Sequence, residues 1–461
     1  MPVPTPESIE ALKATVRGEV LLSDSAGYDE ARSIWNAMID KRPAVIIRCT
    51  GVADVIAAVN YGRNQGLVIA VHGGGHNIAG NAVCDDGLMI DLSLMNSVHV
   101  DPATKRAYVG PGATLGDVDH ETAVHGLATP TGINSTTGIA GLTLGGGFGW
   151  LSRRYGLTVD NVVSMEVVTA EGKRVRASND ENTDLFWALR GGGGNFGIVT
   201  LFEYQLHKVG PNILAGLMVF PGADAKSILT QYRDLAPTMP EELSVWVVTR
   251  GAPPLPFLPE SVHGTHVVIL AFCYTGDPIE GERLIAPLRD FGRAHGEHVG
   301  VMPFTAWQQA FDPLLTPGAR NYWKSHNFTE LKDDLLDTTI EYATNLPSPH
   351  CEIYVAQLGC ATSRVPADAM AYGNRDALYV MNVHGRWEDA ADDETCIEWS
   401  RNFFNAAAPY ATGGVYVNFM TEEETNRVAN AFGPNHQRLA GIKAKYDPKN
   451  LFRLNQNIKP A

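Results

Sequence analysis

The chain has 461 residues, of which 44% are hydrophobic and 19% charged, so it can build a large core and exceeds one ordinary domain. Its formal charge of -15 argues against nucleic acid or an anionic membrane surface as the main partner. The N-terminus lacks the pattern of a secretion signal, and no segment has the composition of a membrane span. We therefore expect a soluble cytoplasmic protein.

The first two hundred residues are predicted to form short strands and helices. Apolar runs at 44–48 and 67–71 flank a segment with helical spacing at 53–64, which predicts a βαβ unit. Thr114 is expected to cap a helix that ends at Gly126. Further strands are predicted at 88–93, 97–100, 106–110, 162–170 and 174–178, and a helix at 184–191.

Beyond about His207 the pattern changes to longer strands that alternate with amphipathic helices. These strands are predicted at 214–220, 243–250, 266–274, 351–359 and 378–387. We interpret the change as a domain boundary, with one domain at 1–207 and a second that begins at 208.

No metal site and no disulfide framework is predicted. The six cysteines form no Cys-x-x-Cys pair and have no regular spacing, so reduced thiols are expected. His72 and His76 are four residues apart, which on a helix would suggest a metal pair. Three consecutive glycines between them make a helix improbable there.

Three glycine clusters lie at 73–75, 138–149 and 191–197. Each glycine allows unusual backbone angles and close approach of a ligand to N–H groups, and the first cluster directly follows a strand. It matches neither G-x-G-x-x-G nor a P-loop, and one such turn alone is as consistent with a tight loop. Three clusters so close together favour one long ligand, and FAD fits because it offers a diphosphate, a flat ring and an adenine.

The segments VHGGGHNIAG, YVGPGATLGDV, GIAGLTLGGGFG, DLFWALRGGGGNFGIVT and YDPKNLFRLNQNI resemble, in this order, the berberine-bridge-enzyme-like flavin oxidases of the vanillyl-alcohol oxidase superfamily. The resemblance covers nearly the whole chain, and the bacterial 6-hydroxy-D-nicotine oxidase type is closer to it than the secreted plant enzymes. It implies an α+β fold with a two-subdomain FAD-binding domain of vanillyl-alcohol-oxidase type. The substrate domain, an antiparallel sheet with helices, would span 208–415, and the tail at 416–461 would return to the FAD-binding domain.

The resemblance also implies how FAD is held. His76 occupies the position that bonds to the flavin 8-methyl carbon, and Asn134 stands where many relatives have a second, cysteinyl link, so a single link is expected. His72 is interpreted as a strand-end residue. The other residues expected to bind FAD are Gly73, Gly74, Gly75, Asn77, Gly80, Pro111, Gly112, Gly132, Thr136, Thr137, Gly138, Gly141, Gly145, Gly146, Gly149, Gly197, Ile198, Val199, Asn418, Asn455 and Asn457.

The proton-handling residue is less clearly marked. Several relatives use the second tyrosine of Y-x-N-Y, but this chain has Tyr416-Val417-Asn418-Phe419. Phe419 has no ionisable group, so that assignment does not carry over. The remaining candidates are Tyr322, Lys324, Gln357, Asn382, His384 and Tyr416, and for each of them an ordinary packing or surface role is the alternative.

The resulting prediction is an FAD oxidase that removes hydride from a C–H bond next to oxygen or nitrogen and passes the electrons to O₂. In the family, a small side chain at the position of Thr137 leaves oxygen a path to the flavin. The alternatives are a dehydrogenase with another electron acceptor and a flavin-containing protein that binds a small molecule for resistance. The expected partners are a small-molecule substrate and molecular oxygen. Amines, sugars and aromatic alcohols are all compatible with the pattern as substrates, and both a monomer and an oligomer are compatible with it.

Overall fold

A small sheet forms around the predicted βαβ unit. The computed structural model describes residues 4–461, apart from the side chains at positions 425 and 426. The first elements are α1 (Pro6–Lys13), β1 (Glu19–Leu21), α2 (Tyr28–Arg32), β2 (Val45–Arg48), α3 (Val52–Gln65), β3 (Ile69–His72) and β4 (Leu88–Asp91). The strand order is β1-β2-β4-β3, with β4 parallel to β2 and β3. The βαβ unit is confirmed, and β4 lies between its two strands.

A second, antiparallel sheet follows. Its region contains β5 (Val98–Asp101), β6 (Arg106–Val109), α4 (Leu115–Ala123), β7 (Leu127–Ala128), α5 (Ile139–Leu144), α6 (Ser152–Tyr155), β8 (Val162–Val168), β9 (Arg174–Ser178), α7 (Thr183–Leu189), β10 (Ile198–Gln205) and β11 (His207–Lys208). The order is β5-β6-β10-β8-β9, and β7 pairs separately with β11. Thr114 caps α4 as predicted, because its hydroxyl accepts a hydrogen bond from the Asp117 N–H at 3.2 Å.

The largest sheet has seven antiparallel strands. It is built with β12 (Asn212–Pro221), α8 (Ala225–Leu235), β13 (Leu243–Gly251), β14 (His266–Tyr274), α9 (Pro278–Arg289), β15 (Gly296–Pro303), α10 (Phe304–Gln308), β16 (Arg320–Phe328), α11 (Asp333–Thr344), β17 (Glu352–Gln357), α12 (Ala361–Arg364), β18 (Tyr379–Trp387) and α13 (Asp393–Ala407). The order is β15-β12-β14-β13-β17-β18-β16. Strands β15 and β16 were not predicted, because their many polar residues hide the apolar alternation that marks a strand.

The two faces of this sheet have different roles. Val247, Ile353 and Met381 belong to the hydrophobic core that the sheet shares with helices α8, α11 and α13. Residues one position away, such as Trp246 and Tyr354, point to the opposite face, because side chains alternate along a strand. That opposite face is turned toward the glycine clusters.

The C-terminal segment returns to the first part of the chain. It contains α14 (Val428–Phe432) and α15 (His436–Tyr446) and then continues as irregular backbone. The fully buried Lys443 of α15 donates hydrogen bonds to the Asn195 carbonyl at 2.6 Å and to the Asp447 carboxylate at 2.6 Å. The bond to Asn195 connects the tail to the third glycine cluster. No helix among the described residues is both long and apolar enough to cross a membrane.

Candidate functional site

A cavity of about 480 Å³ lies between the glycine clusters and the face of the seven-stranded sheet that carries Trp246 and Tyr354. One wall is formed by the turn at 73–77 and by glycine-rich segments from the second and third clusters. The opposite wall consists of alternate side chains of the sheet, among them Trp246, Val248 and Arg250 of β13. The C-terminal tail contributes Asn455 to the cavity lining.

The glycine-lined wall suits a diphosphate. A Cβ atom on Gly74 would lie 2.3 Å from the backbone nitrogen of Gly138, and one on Gly138 would lie 2.4 Å from that of Gly74. Gly75 has a φ of 69°, which favours glycine. Among the described residues, the N–H groups of Gly74, Gly75 and His76 donate to no protein acceptor. A bare turn with free N–H groups is the arrangement that binds phosphate oxygens.

His76 is held in one orientation on the cavity wall. Its Nε2 lies 3.0 Å from the Thr136 hydroxyl, which itself donates a hydrogen bond to the Asn134 amide oxygen at 2.8 Å. The Trp35 ring stacks on the imidazole, with ring centroids 5.1 Å apart. Burial, helped by nearby His72, lowers the pKa of His76 to about 3. His76 is therefore a neutral imidazole near neutral pH.

Three ionisable side chains of the sheet, Arg250, Glu352 and His384, line the cavity. Glu352 of β17 accepts a hydrogen bond from Arg250 at 2.6 Å, and His384 of β18 lies 3.3 Å from the same carboxylate. Burial by itself would raise the pKa of Glu352, but Arg250 and His384 outweigh it and hold the pKa at about 2. Burial lowers the pKa of His384, although Glu352 opposes the shift. The carboxylate is ionised and the imidazole neutral near neutral pH.

The rest of the sheet wall is aromatic. Trp246 lies 4.6 Å from Trp150 and 6.0 Å from Tyr354 between ring centroids, and its ring is nearly parallel to that of Tyr354. Phe419 contacts Tyr416 and Trp323 edge to face, with centroids 4.8 Å and 5.5 Å apart. Such a wall favours flat, apolar ligands.

Most residues expected to bind FAD lie on the cavity wall. They are Gly73, Gly74, Gly75, His76, Asn77, Gly132, Thr137, Gly138, Gly141, Gly197, Ile198, Val199, Asn418 and Asn455. The other expected residues do not line the cavity; they are Gly80, Pro111, Gly112, Thr136, Gly145, Gly146, Gly149 and Asn457. Some of these support it: Thr136 orients His76, and a Cβ atom on Gly145 would lie 2.1 Å from the Asn418 side chain.

The candidates for proton handling separate by sheet face. Lys324 points to the helix side, where it lies 3.2 Å from Glu423 and 3.3 Å from Glu424. Tyr322 donates a hydrogen bond to Glu423 on that side, and Gln357 donates one to the Ala236 carbonyl at 2.7 Å. The polar groups of these three side chains therefore bond to protein partners away from the cavity.

Three candidates are on the cavity side. His384 lines the cavity, and so does Tyr416, whose hydroxyl accepts hydrogen bonds from the Gly147 N–H at 3.1 Å and the Asn418 amide at 3.0 Å. Burial raises the pKa of Tyr416 to about 12, so it stays protonated. Asn382 is buried behind the wall, and its amide has no partner among the described residues.

Sequence reasoning missed Trp35, Arg250 and Glu352. The last two carried a signal, because each is a charged residue inside or beside a strand that is otherwise apolar. Trp35 gave none, since it lies in an irregular segment far from the other site residues in sequence.

The cavity and its glycine turns define the class of protein as an FAD-binding one, and comparisons with known proteins agree. Residues 43–178 match an FAD binding domain family, and residues 415–459 match the family described as berberine and berberine like. (R)-6-hydroxynicotine oxidase of Paenarthrobacter nicotinovorans is 33% identical over 466 residues, which covers 98% of both chains. An FAD-linked oxidoreductase of Dictyostelium discoideum is 31% identical and covers 97% of this chain and 95% of its own.

A solved structure supports the same family assignment. The crystal structure of 6-hydroxy-D-nicotine oxidase from Arthrobacter nicotinovorans superimposes with a TM-score of 0.87 at 30% identity, over 97% of this chain and 98% of that one. The chain therefore belongs to the berberine-like FAD-linked oxidoreductases, its cofactor is FAD, and the predicted α+β fold with a large antiparallel sheet is confirmed. Among residues 4–461 no cluster of three His, Cys, Asp or Glu side chains could hold a metal ion.

Proposed function

We propose that this oxidoreductase is an oxidase with FAD attached covalently to His76. It removes hydride from a C–H bond next to oxygen or nitrogen in a small organic substrate and passes the electrons to O₂, which gives hydrogen peroxide. The observation that carries the proposal is one continuous cavity that runs from the glycine turns past His76 to the aromatic wall. A cofactor and a substrate can therefore meet inside it.

The chain's own residues fit the parts of FAD. The turn at 73–77 and Gly138 offer N–H groups and bare backbone to the diphosphate, while Asn418 and Asn455 line the cavity with amides. The buried Oδ1 of Asn455 has no partner among the described residues, so it can accept a hydrogen bond from the flavin. Bound FAD supplies the two-electron acceptor for the hydride.

The assignment of oxygen as the electron acceptor rests on Thr137, which lines the cavity beside Gly138. A threonine is close in size to valine and leaves more space at the flavin face than leucine. A relative that matches 98% of the chain is named as an oxidase of 6-hydroxynicotine, which supports both an oxidase reaction and an amine among the substrates to be tried.

The experiment is an anaerobic screen in which loss of flavin colour is followed with amines, alcohols and oligosaccharides. A substrate of the proposed reaction bleaches the flavin within the time of turnover, and admission of air restores the colour with release of hydrogen peroxide. Slow return of colour in air but fast return with a quinone or dye would identify a dehydrogenase. Tight stoichiometric binding without bleaching would identify a binding protein.

A further inference from the structure

Glu352 and His384 are placed together by the sheet itself. They are direct neighbours in the antiparallel register of β17 and β18, and both side chains line the cavity. Only 13% of the Glu352 side chain and 3% of the His384 side chain is exposed. Two buried ionisable groups in contact at the edge of a substrate cavity are a frequent arrangement for proton transfer.

The hydrogen bonds around His384 leave a place for one proton. Its Nδ1 faces the Glu352 carboxylate at 3.3 Å, and its Nε2 faces the Asn321 amide oxygen at 3.2 Å. The amide cannot be turned around, because its nitrogen donates to the Ala319 carbonyl at 2.8 Å and its oxygen accepts from Arg386 at 3.1 Å. A neutral imidazole carries a single N–H, so one of the two contacts lacks a hydrogen. One added proton would complete both.

In the resting protein, the surrounding charges disfavour this added proton on Glu352 or His384. Arg250 of β13 and Arg386 of β18 face the pair and favour the ionised form of Glu352, whose pKa is held at about 2 against burial. Burial lowers the pKa of His384, and the same two arginines add to that shift. Tyr354, the next cavity-facing residue of β17, stays protonated because burial raises its pKa. The resting pair is thus a carboxylate beside a neutral imidazole.

We propose that Glu352 and His384 together accept the proton that an aromatic substrate releases from its hydroxyl or amine when hydride leaves the neighbouring carbon. The inference rests on the oxidase function proposed above. The C–H bond breaks and its electron pair goes to FAD as hydride, while the O–H or N–H bond breaks and its proton goes to the Glu352–His384 pair, which then carries one proton more than at rest. A C=O or C=N bond forms in the product. Glu352 is the catalytic residue that faces the substrate, and His384 shares the accepted proton with it.

The aromatic class follows from the wall next to the pair. Trp323 contacts the His384 ring edge to face at 4.8 Å, and Trp246 and Tyr354 present nearly parallel rings on the neighbouring strands. A sugar would need many polar partners, whereas the charged groups of this wall are concentrated at the pair. A flat ring with one hydroxyl or amine fits both features.

The first test uses 4-nitrophenol as a probe, because its visible absorbance distinguishes the phenol from the phenolate. Because the ionised Glu352 accepts the hydrogen bond of a phenol and disfavours a second negative charge beside it, difference spectra of the FAD-loaded protein should show the bound probe still as the phenol at a pH where the free probe is largely phenolate. Glu352→Gln should bind the probe as the phenolate at that pH. His326→Gln is the matched control: His326 of β16 is also buried, but its Nε2 lies 2.9 Å from the Phe404 carbonyl oxygen on the helix side.

The second test measures the limiting rate of flavin reduction with a substrate found in the anaerobic screen. Both variants of the pair, Glu352→Gln and His384→Gln, should lose roughly 10²–10⁴-fold, the usual contribution of a general base, and should lose the rise of rate in the acidic range that is expected of wild type as the pair releases its proton. Flavin content and the visible spectrum serve to check that they fold. Equal probe spectra in wild type and Glu352→Gln, failure of wild type to bind the probe, or an unchanged pH profile would overturn the proposal. An absence of any reducing substrate would instead contradict the oxidase function and leave the probe result standing.

Discussion

The Thr136 hydroxyl lies 3.0 Å from Nε2 of His76, and this contact determines which nitrogen of the imidazole is free. Thr136 already donates its proton to Asn134 at 2.8 Å, so its oxygen must accept the hydrogen bond from Nε2–H. The lone pair of the neutral ring is then on Nδ1. In the proposed attachment, Nδ1 would be the nitrogen that bonds to the flavin, and Asn134, at the position where the resemblance implies a cysteine in many relatives, would help to orient the ring through Thr136.

His76→Ala should give a yellow protein whose flavin is released on acid precipitation, whereas wild type keeps its flavin in the pellet. FAD should still bind, because the glycine turn and its N–H groups do not depend on the bond. His72→Gln is the control, since His72 contacts Asp91 at 3.1 Å and should leave the attachment intact. Complete release of flavin from wild type, or a flavin peptide that contains cysteine, would contradict a single bond at His76.

Thr137→Leu should slow reoxidation of the reduced flavin by O₂ at least about tenfold, while Thr137→Val, of similar size to wild type, should not. The physical reason is space: Thr137 lines the cavity beside Gly138, and a larger side chain there would occupy the path of oxygen. Stopped-flow mixing of reduced protein with aerated buffer measures this rate, and substrate reduction measured anaerobically separates it from binding effects. Equal reoxidation by the two variants would show that oxygen arrives elsewhere.

Lys324→Met should lower stability without a comparable loss of flavin reduction. The ammonium pairs with Glu423 and Glu424 on the helix side, and only 4% of the Glu424 side chain is exposed. Removal of one partner from a buried ion pair typically costs about 3 kcal/mol. Denaturant unfolding should show this loss, whereas Lys226→Met, which breaks the exposed pair with Asp337, should have little effect. A folded Lys324→Met that reduces its flavin more than tenfold slower would return Lys324 to the active site.

Asp119 should make the protein less stable as the pH rises. Burial raises its pKa from 3.8 to about 7, although Gln308 donates a hydrogen bond to it at 3.1 Å. Between pH 3.8 and about 7 the folded state therefore holds a proton that the unfolded state has lost. The unfolding free energy falls as the pH rises through this range and is level above it. At about 1.4 kcal/mol per pH unit, the unfolding free energy falls by roughly 4 kcal/mol in total.

Asp119→Asn should remove this pH dependence and be more stable than wild type above pH 7, as measured by urea unfolding at several pH values. Glu121→Gln on the same helix is the control, because Glu121 is exposed and should leave the curve unchanged. Parallel pH curves for wild type and Asp119→Asn would mean that Asp119 is ionised in the folded protein.

Local sequence determined much of the fold and the cofactor site. The βαβ unit, the cap at Thr114 and the turn at 73–77 follow from residue periodicity and from the backbone freedom of glycine, which act within a few residues. The tertiary structure alone decided the substrate side of the cavity. Lys324 and Trp323 are adjacent in sequence, yet the pleat of β16 sends one to the helices and the other to the cavity. Glu352 and His384 meet only because strands far apart in the chain pair in one register, and no local pattern specifies that register.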